Sequence, residues 1–132
     1  MTAAITTLRS TLATALTNDG VWSVFSFPPA SPIANSCIIN YADPAIDPQN
    51  NQYSSVGPQV NLEITLLVPL FDNNGNLIDM ENYWLALMGK INDAAPALNI
   101  KVGSFSAPTV SANDMGQMLM SQISVSILSS WS

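Results

Sequence analysis

The chain has 132 residues, of which 48% are apolar and only 9% charged, and nine acids against Arg9, Lys90 and Lys101 leave a net charge of −6. That length makes one ordinary domain, residues 1–132, with enough chain to bury a core without a metal or a disulfide. Histidine is absent and Cys37 is the one cysteine, which excludes His-based general-base or metal chemistry, a Ser-His-Asp triad, an internal disulfide and a cysteine-based structural zinc, while three cations are too few for a phosphate-neutralising surface or a basic membrane-binding face.

Low charge here is not low polarity, because the chain carries 42 Asn, Ser, Thr and Gln residues. A soluble monomer ordinarily surrounds itself with Lys and Glu, whereas the cores of protein interfaces are depleted in charge. A hydrophilic, nearly ion-free exterior therefore suits a subunit contacted by other subunits. The longest apolar runs fall well short of the ~20 residues a membrane helix needs. The first sixteen residues lack a continuous apolar stretch and are not read as a secretory signal.

Ile5, Leu8, Leu12 and Leu16 recur at spacings of three and four and predict a helix over 2–17, with Thr2 as N-cap and Asn18-Asp19-Gly20 as its stop. Five threonines lower its intrinsic propensity, so packing must supply its stability. Val21 to Phe27 reads as an aromatic, β-branched strand ended by Pro28-Pro29, and Ser36 to Tyr41 as a second short strand. Residues 42–59 read as a long polar loop with two turn starters, Asp43-Pro44 and Asp47-Pro48, and few apolar residues beyond Ile46, Tyr53 and Val56.

The clearest element is Val60 to Val68, where Val60, Leu62, Ile64, Leu66 and Val68 alternate with their neighbours in a strand that buries one face. Asp72 to Asn76 reads as a turn. Asp79 is expected to cap a second helix running to about Ala94, with Ile78 and Tyr83 at the staple positions, an apolar stripe through Met80, Tyr83/Trp84, Leu87, Ile91 and Ala94 or Ala95, and Pro96 as its stop. Asn99 to Phe105 is a short strand, 106–114 a loop, and alternation through Leu119, Ser121, Ile123, Val125 and Ile127 a final strand over about 118–129. The order α-β-β-β-α-β-β predicts an α+β fold: a mixed or antiparallel sheet with two helices packed on one face.

Candidate chemistry is sparse. Cys37, in an apolar strand with no nearby cation, reads as a buried small hydrophobe. Glu63 alone among the acids sits within the alternating strand Val60 to Val68; the Asp residues fall at turns and caps, where backbone geometry explains them. The Asp72 to Asn76 run lacks the bidentate acid of an EF-hand, since Tyr83 stands at the twelfth position. Trp22, Trp84 and Trp131 fall in packed elements and suit a core or an interface. No catalytic residue, cofactor site or metal site is assigned, and the chain is not read as an enzyme.

The stretch from Pro28 through Ala45, with Cys37-Ile38-Ile39-Asn40-Tyr41-Ala42-Asp43-Pro44, leading through the polar loop into Val60-Asn61-Leu62-Glu63-Ile64, resembles the tail terminator (tail completion) proteins of long-tailed bacteriophages, actinophage members among them. The order of elements agrees over nearly the whole chain. What the resemblance implies is structural: a virion protein at the head–tail junction, made in the bacterial cytoplasm. There it forms a hexameric ring on the last tail-tube ring, stops tube growth and presents a surface to the head connector or stopper protein. DNA passes through the lumen without specific binding, and no membrane is involved. The acidic balance suits a conduit that must not hold DNA. A domain of this length has a radius of gyration of about 14 Å, and six such spheres leave a hole of roughly 36 Å, wide enough for a duplex. Asp43, Asp47, Tyr53 and Val56 are the candidate interface residues, with Tyr53 the best anchor. Other readings are a different neck or head-completion ring protein, a monomeric binding module using Trp22 or Trp131, and an enzyme using paired carboxylates about Glu63.

Overall fold

The structure, a computed structural model, describes residues 6–18, 22–27, 35–48, 58–69, 77–98, 100–113 and 116–129. Its elements run α1 (Leu8–Ala15), β1 (Ser23–Phe25), β2 (Ser36–Asp47), β3 (Gln59–Pro69), α2 (Leu77–Leu98), β4 (Ile100–Phe105), β5 (Thr109–Asn113) and β6 (Gly116–Leu128). The α+β class holds, with one strand more than the sequence predicts. The strands form one mixed sheet in the order β1-β2-β3-β6-β4, with β5 also on β6. Among the described residues only β1 and β2 pair in parallel; the other strand pairs are antiparallel.

Period-2 patterning builds the centre of this sheet. Val60, Leu62, Ile64, Leu66 and Val68 of β3 are fully buried. They share one core with Leu119, Ile123, Val125 and Ile127 of β6, Cys37 and Ile39 of β2, Leu8, Leu12 and Leu16 from α1 and its C-cap, and Met80, Tyr83, Leu87, Ile91 and Ala94 of α2. Both helices therefore cover the same sheet face. At about 1.5–3 kcal/mol per buried side chain, these apolar groups dominate the favourable side of folding.

Local chemistry explains the departures from pattern. The residues before Thr6 lie outside the described segments, as do the expected Thr2 cap and Gly20; α1 spans Leu8–Ala15, with Thr7 at its N-cap and no side-chain cap bond. Its threonines turn inward on the backbone: Thr11 Oγ1 donates to the Thr7 carbonyl and Thr14 Oγ1 to that of Ser10, which satisfies the hydroxyls at a small cost in helix strength. The helix is held by three fully buried leucines and by Arg9, which donates to the Ser26 carbonyl and lies 5.7 Å from the Tyr41 ring centroid.

The expected loop over 42–59 is corrected at its start. β2 continues to Asp47, with a register shift between Tyr41 and Ile46 that leaves the segment holding the cis Asp43-Pro44 bond out of the ladder with β3. Pro44 therefore needs no ladder donor, and its carbonyl accepts from Asn61 Nδ2 at 3.0 Å. The expected loop over 106–114 is corrected as well, since Thr109–Asn113 pairs with β6. α2 begins at Leu77, so Asp79 lies in its first turn and is not its cap. Ile78 is exposed, so it makes no staple with buried Tyr83. The helix also runs past Pro96 to Leu98, so the expected stop at Pro96 is corrected; a proline there forfeits one amide donor of the helical ladder, at a cost to the last turn. The Asp72 to Asn76 turn and Trp131 lie outside the described residues.

Candidate interaction surface

Two surfaces stand out on this scaffold. The first is the sheet face turned away from the helices. Its central rows carry Asn40, Glu63 and Ser124, then Asn61 and Ser126 beside Lys101, then Thr65 and Gln122. Asn61 Oδ1 accepts from Ser126 Oγ at 2.9 Å and from Gln59 Nε2 at 3.2 Å, and Gln122 Nε2 donates to Thr65 Oγ1 at 3.3 Å. Neutral amides and hydroxyls thus bond one another along β3 and across to β6. At one end the face turns apolar, where Ile38, Leu67 and Met118 are buried with Phe25 and Met120 against them.

The second surface is the outer side of α2 and the flank beside it. β4 and β5 lie on the same side of β6 and run in one direction, so residues 100–113 form one interrupted strand along it. Among the described residues, no strand pairs the outer edge of that strand. α2 is anchored over this flank by Trp84: its Nε1 donates to Ser121 Oγ at 3.1 Å, Ser121 Oγ donates to the Ser106 carbonyl at 2.8 Å, and the ring lies 5.7 Å from that of Phe105. Leu77, Ile78, Leu85 and Met88 remain exposed on the helix. A helix with apolar residues on both its inner and outer sides expects a cover on each.

The sequence-derived interface residues are only partly placed. Asp43 and Asp47 are exposed on β2, Asp43 in the bulged segment and Asp47 at the strand end opposite Gln59. Tyr53 and Val56 lie outside the described residues. The α2 surface escaped sequence reading because its residues interleave with the core stripe; its signal was the density of apolar residues from Leu77 to Met88.

Burial pushes the Cys37 thiol up to about 12, so it is a protonated core group. Trp22 is buried, and its Nε1 donates to the Leu16 carbonyl at 2.9 Å. Among the described residues no group of three Cys, Asp or Glu side chains could hold a metal ion, and no helix is long and apolar enough to cross a membrane. No protein-family model and no curated protein matches the chain.

Proposed function

We propose that this chain is an assembly subunit of a phage virion: a ring protein at the head-proximal end of the tail tube that stops tube growth and joins the tail to the head connector. The observation that carries the assembly half of this reading is the outer side of α2. Four large apolar side chains stay exposed there beside a sheet edge with no paired strand among the described residues, on a chain with twelve charged residues in all. Exposed apolar area of this kind marks a contact surface. The placement in a phage tail rests on the resemblance of element order and of the 28–64 stretch to tail terminators.

The mechanism is complementarity, not catalysis. One ring face fits the end of the tube; the opposite face lacks the tube's own docking surface, so growth ends there. A head-to-tail contact between subunits closes into a ring when the rotation between neighbours divides a full turn. Electron microscopy of particles lacking the protein tests the reading. Overlong tails are expected; tails of normal length detached from heads identify another neck protein instead, and intact particles overturn both. The connection after Asp47 is a second target. Asp47 pairs with Gln59, so replacing residues 48–58 with Asn-Gly leaves that pair, both with backbone N–H groups, to close a two-residue hairpin. The variant should fold yet fail to cap tubes, and normal capping rules that segment out as the contact.

A further inference from the structure

Resting on the assembly reading above, we infer that the outer face of α2 docks on the open sheet face of a second copy of this chain, with Glu81 of one copy opposite Lys101 of the next. Leu77, Ile78, Leu85 and Met88 are 53, 73, 74 and 37% exposed. At 3.6 residues per turn they fall, with exposed Glu81 among them, within about 100° of arc on the side away from the core. The patch is an acid ringed by apolar groups.

Self-pairing of this patch about a two-fold axis is disfavoured by its own charge. Antiparallel packing centred on the four apolar residues brings the two Glu81 side chains within about 3 Å of each other along the axis. Like charges at the centre of a desolvated contact oppose association.

The complementary surface is on the other side of the same molecule. Lys101 is exposed on β4 and stands opposite Ser126 of β6. Leu128, two residues on from Ser126, shares its face and is 48% exposed. That diagonal spacing puts an apolar side chain within reach of the cation. Of the three cations, Arg9 is engaged with Ser26 and Tyr41 and Lys90 is half-buried, which leaves Lys101 as the exposed one. α2 covers one sheet face and Lys101 lies on the other, so the contact is head-to-tail and generates a ring or a filament, not a closed dimer.

Charge reversal tests this. Glu81 and Lys101 are exposed, so E81K and K101E should keep the wild-type urea midpoint. In sedimentation equilibrium the wild-type chain should self-associate below about 1 mM. Each single reversal should weaken association at least about tenfold, and E81K/K101E should restore it. An equimolar mixture of the two single variants should also associate, because each 81–101 contact between unlike variants is again complementary. Single variants that associate like wild type, a double variant no better than the singles, or a wild-type chain that stays monomeric overturns the contact. So does association strengthened by mixing wild type with E81K, which is the two-fold result. A chain found at the head–tail junction but indifferent to both reversals sinks this contact alone; a chain that passes the reversal test but sits elsewhere sinks the virion placement alone.

Discussion

The Tyr83 hydroxyl donates to Asn35 Oδ1 at 2.8 Å, tying the buried face of α2 to a residue held at φ 58° just before β2. The ring itself meets that of Trp22 edge-on, with centroids 5.1 Å apart. Two effects can be separated here. Tyr83→Phe keeps the ring contact and removes the hydroxyl, so it should cost about 0.5–1.5 kcal/mol in urea unfolding. Asn35→Gly removes the acceptor without straining the backbone and should cost a similar amount. Asn35→Ala adds a Cβ in the left-handed region and should lose about 1–2 kcal/mol more. Equal midpoints for the two Asn35 variants would show that backbone conformation contributes nothing at this position.

A second polar tie holds α2 over the sheet flank. Ser121 is buried and serves two neighbours, accepting from Trp84 Nε1 and donating to the Ser106 carbonyl. Ser121→Ala leaves both without that partner in a partly desolvated place. The expected cost is about 1–3 kcal/mol by chemical denaturation. Trp84 emission should shift to the red as its indole exchanges Ser121 for water, a change that a simple cavity would not cause.

These ties show what the sequence makes legible. β3 and the inner stripe of α2 are readable because one buried face leaves a period of 2 or 3.6 in the chain. The second half of β2 is hidden because Asp43-Pro44 and Asp47-Pro48 carry turn chemistry, and only the tertiary bulge opposite β3 makes a proline acceptable there. β5 is hidden because Ala107-Pro108 interrupts the edge strand and no apolar alternation marks Thr109–Asn113. The outer side of α2 is concealed by its own core residues: Leu85 follows core-facing Tyr83 and precedes Leu87, so composition rises while the periodic signal blurs.

Stability should fall as pH rises above 9, because two buried groups hold their protons in the folded chain. Burial raises the Cys37 thiol from 9.0 to about 12. Burial first, then the charges of Asp79 and Cys37, raises Tyr83 from 10.0 to about 12. Both groups keep their protons longer in the folded chain than in the unfolded one. The unfolded state therefore binds fewer protons above pH 9, and stability falls as pH rises from there towards 12. Below pH 9 neither group contributes a slope. Urea midpoints measured from pH 8 to 11 should decline, and Cys37→Ala should flatten the decline that begins at pH 9, whatever its cost at neutral pH.

Two glycines should respond to alanine in opposite directions. Gly89 lies in the interior of α2, and a Cβ built there meets nothing within 4 Å. Alanine loses less backbone entropy than glycine in a helix, so Gly89→Ala should stabilise the fold by about 0.8–1 kcal/mol. Gly103 lies in β4 where the register with β6 shifts between Val102 and Phe105. A Cβ at Gly103 would stand 2.9 Å from the Ser124 carbonyl oxygen and 3.3 Å from Ser124 Cβ. The nearest atom is backbone of the central strand β6, which cannot swing aside as a flexible side chain would. Gly103→Ala should therefore push β4 away from β6 and cost about 1–3 kcal/mol, outweighing the entropy that alanine saves. Thermal unfolding of the pair checks both signs at once. A stabilised Gly103→Ala would mean that β4 is free to move off β6, and with it Lys101, so the contact assigned to that strand would lose its fixed position.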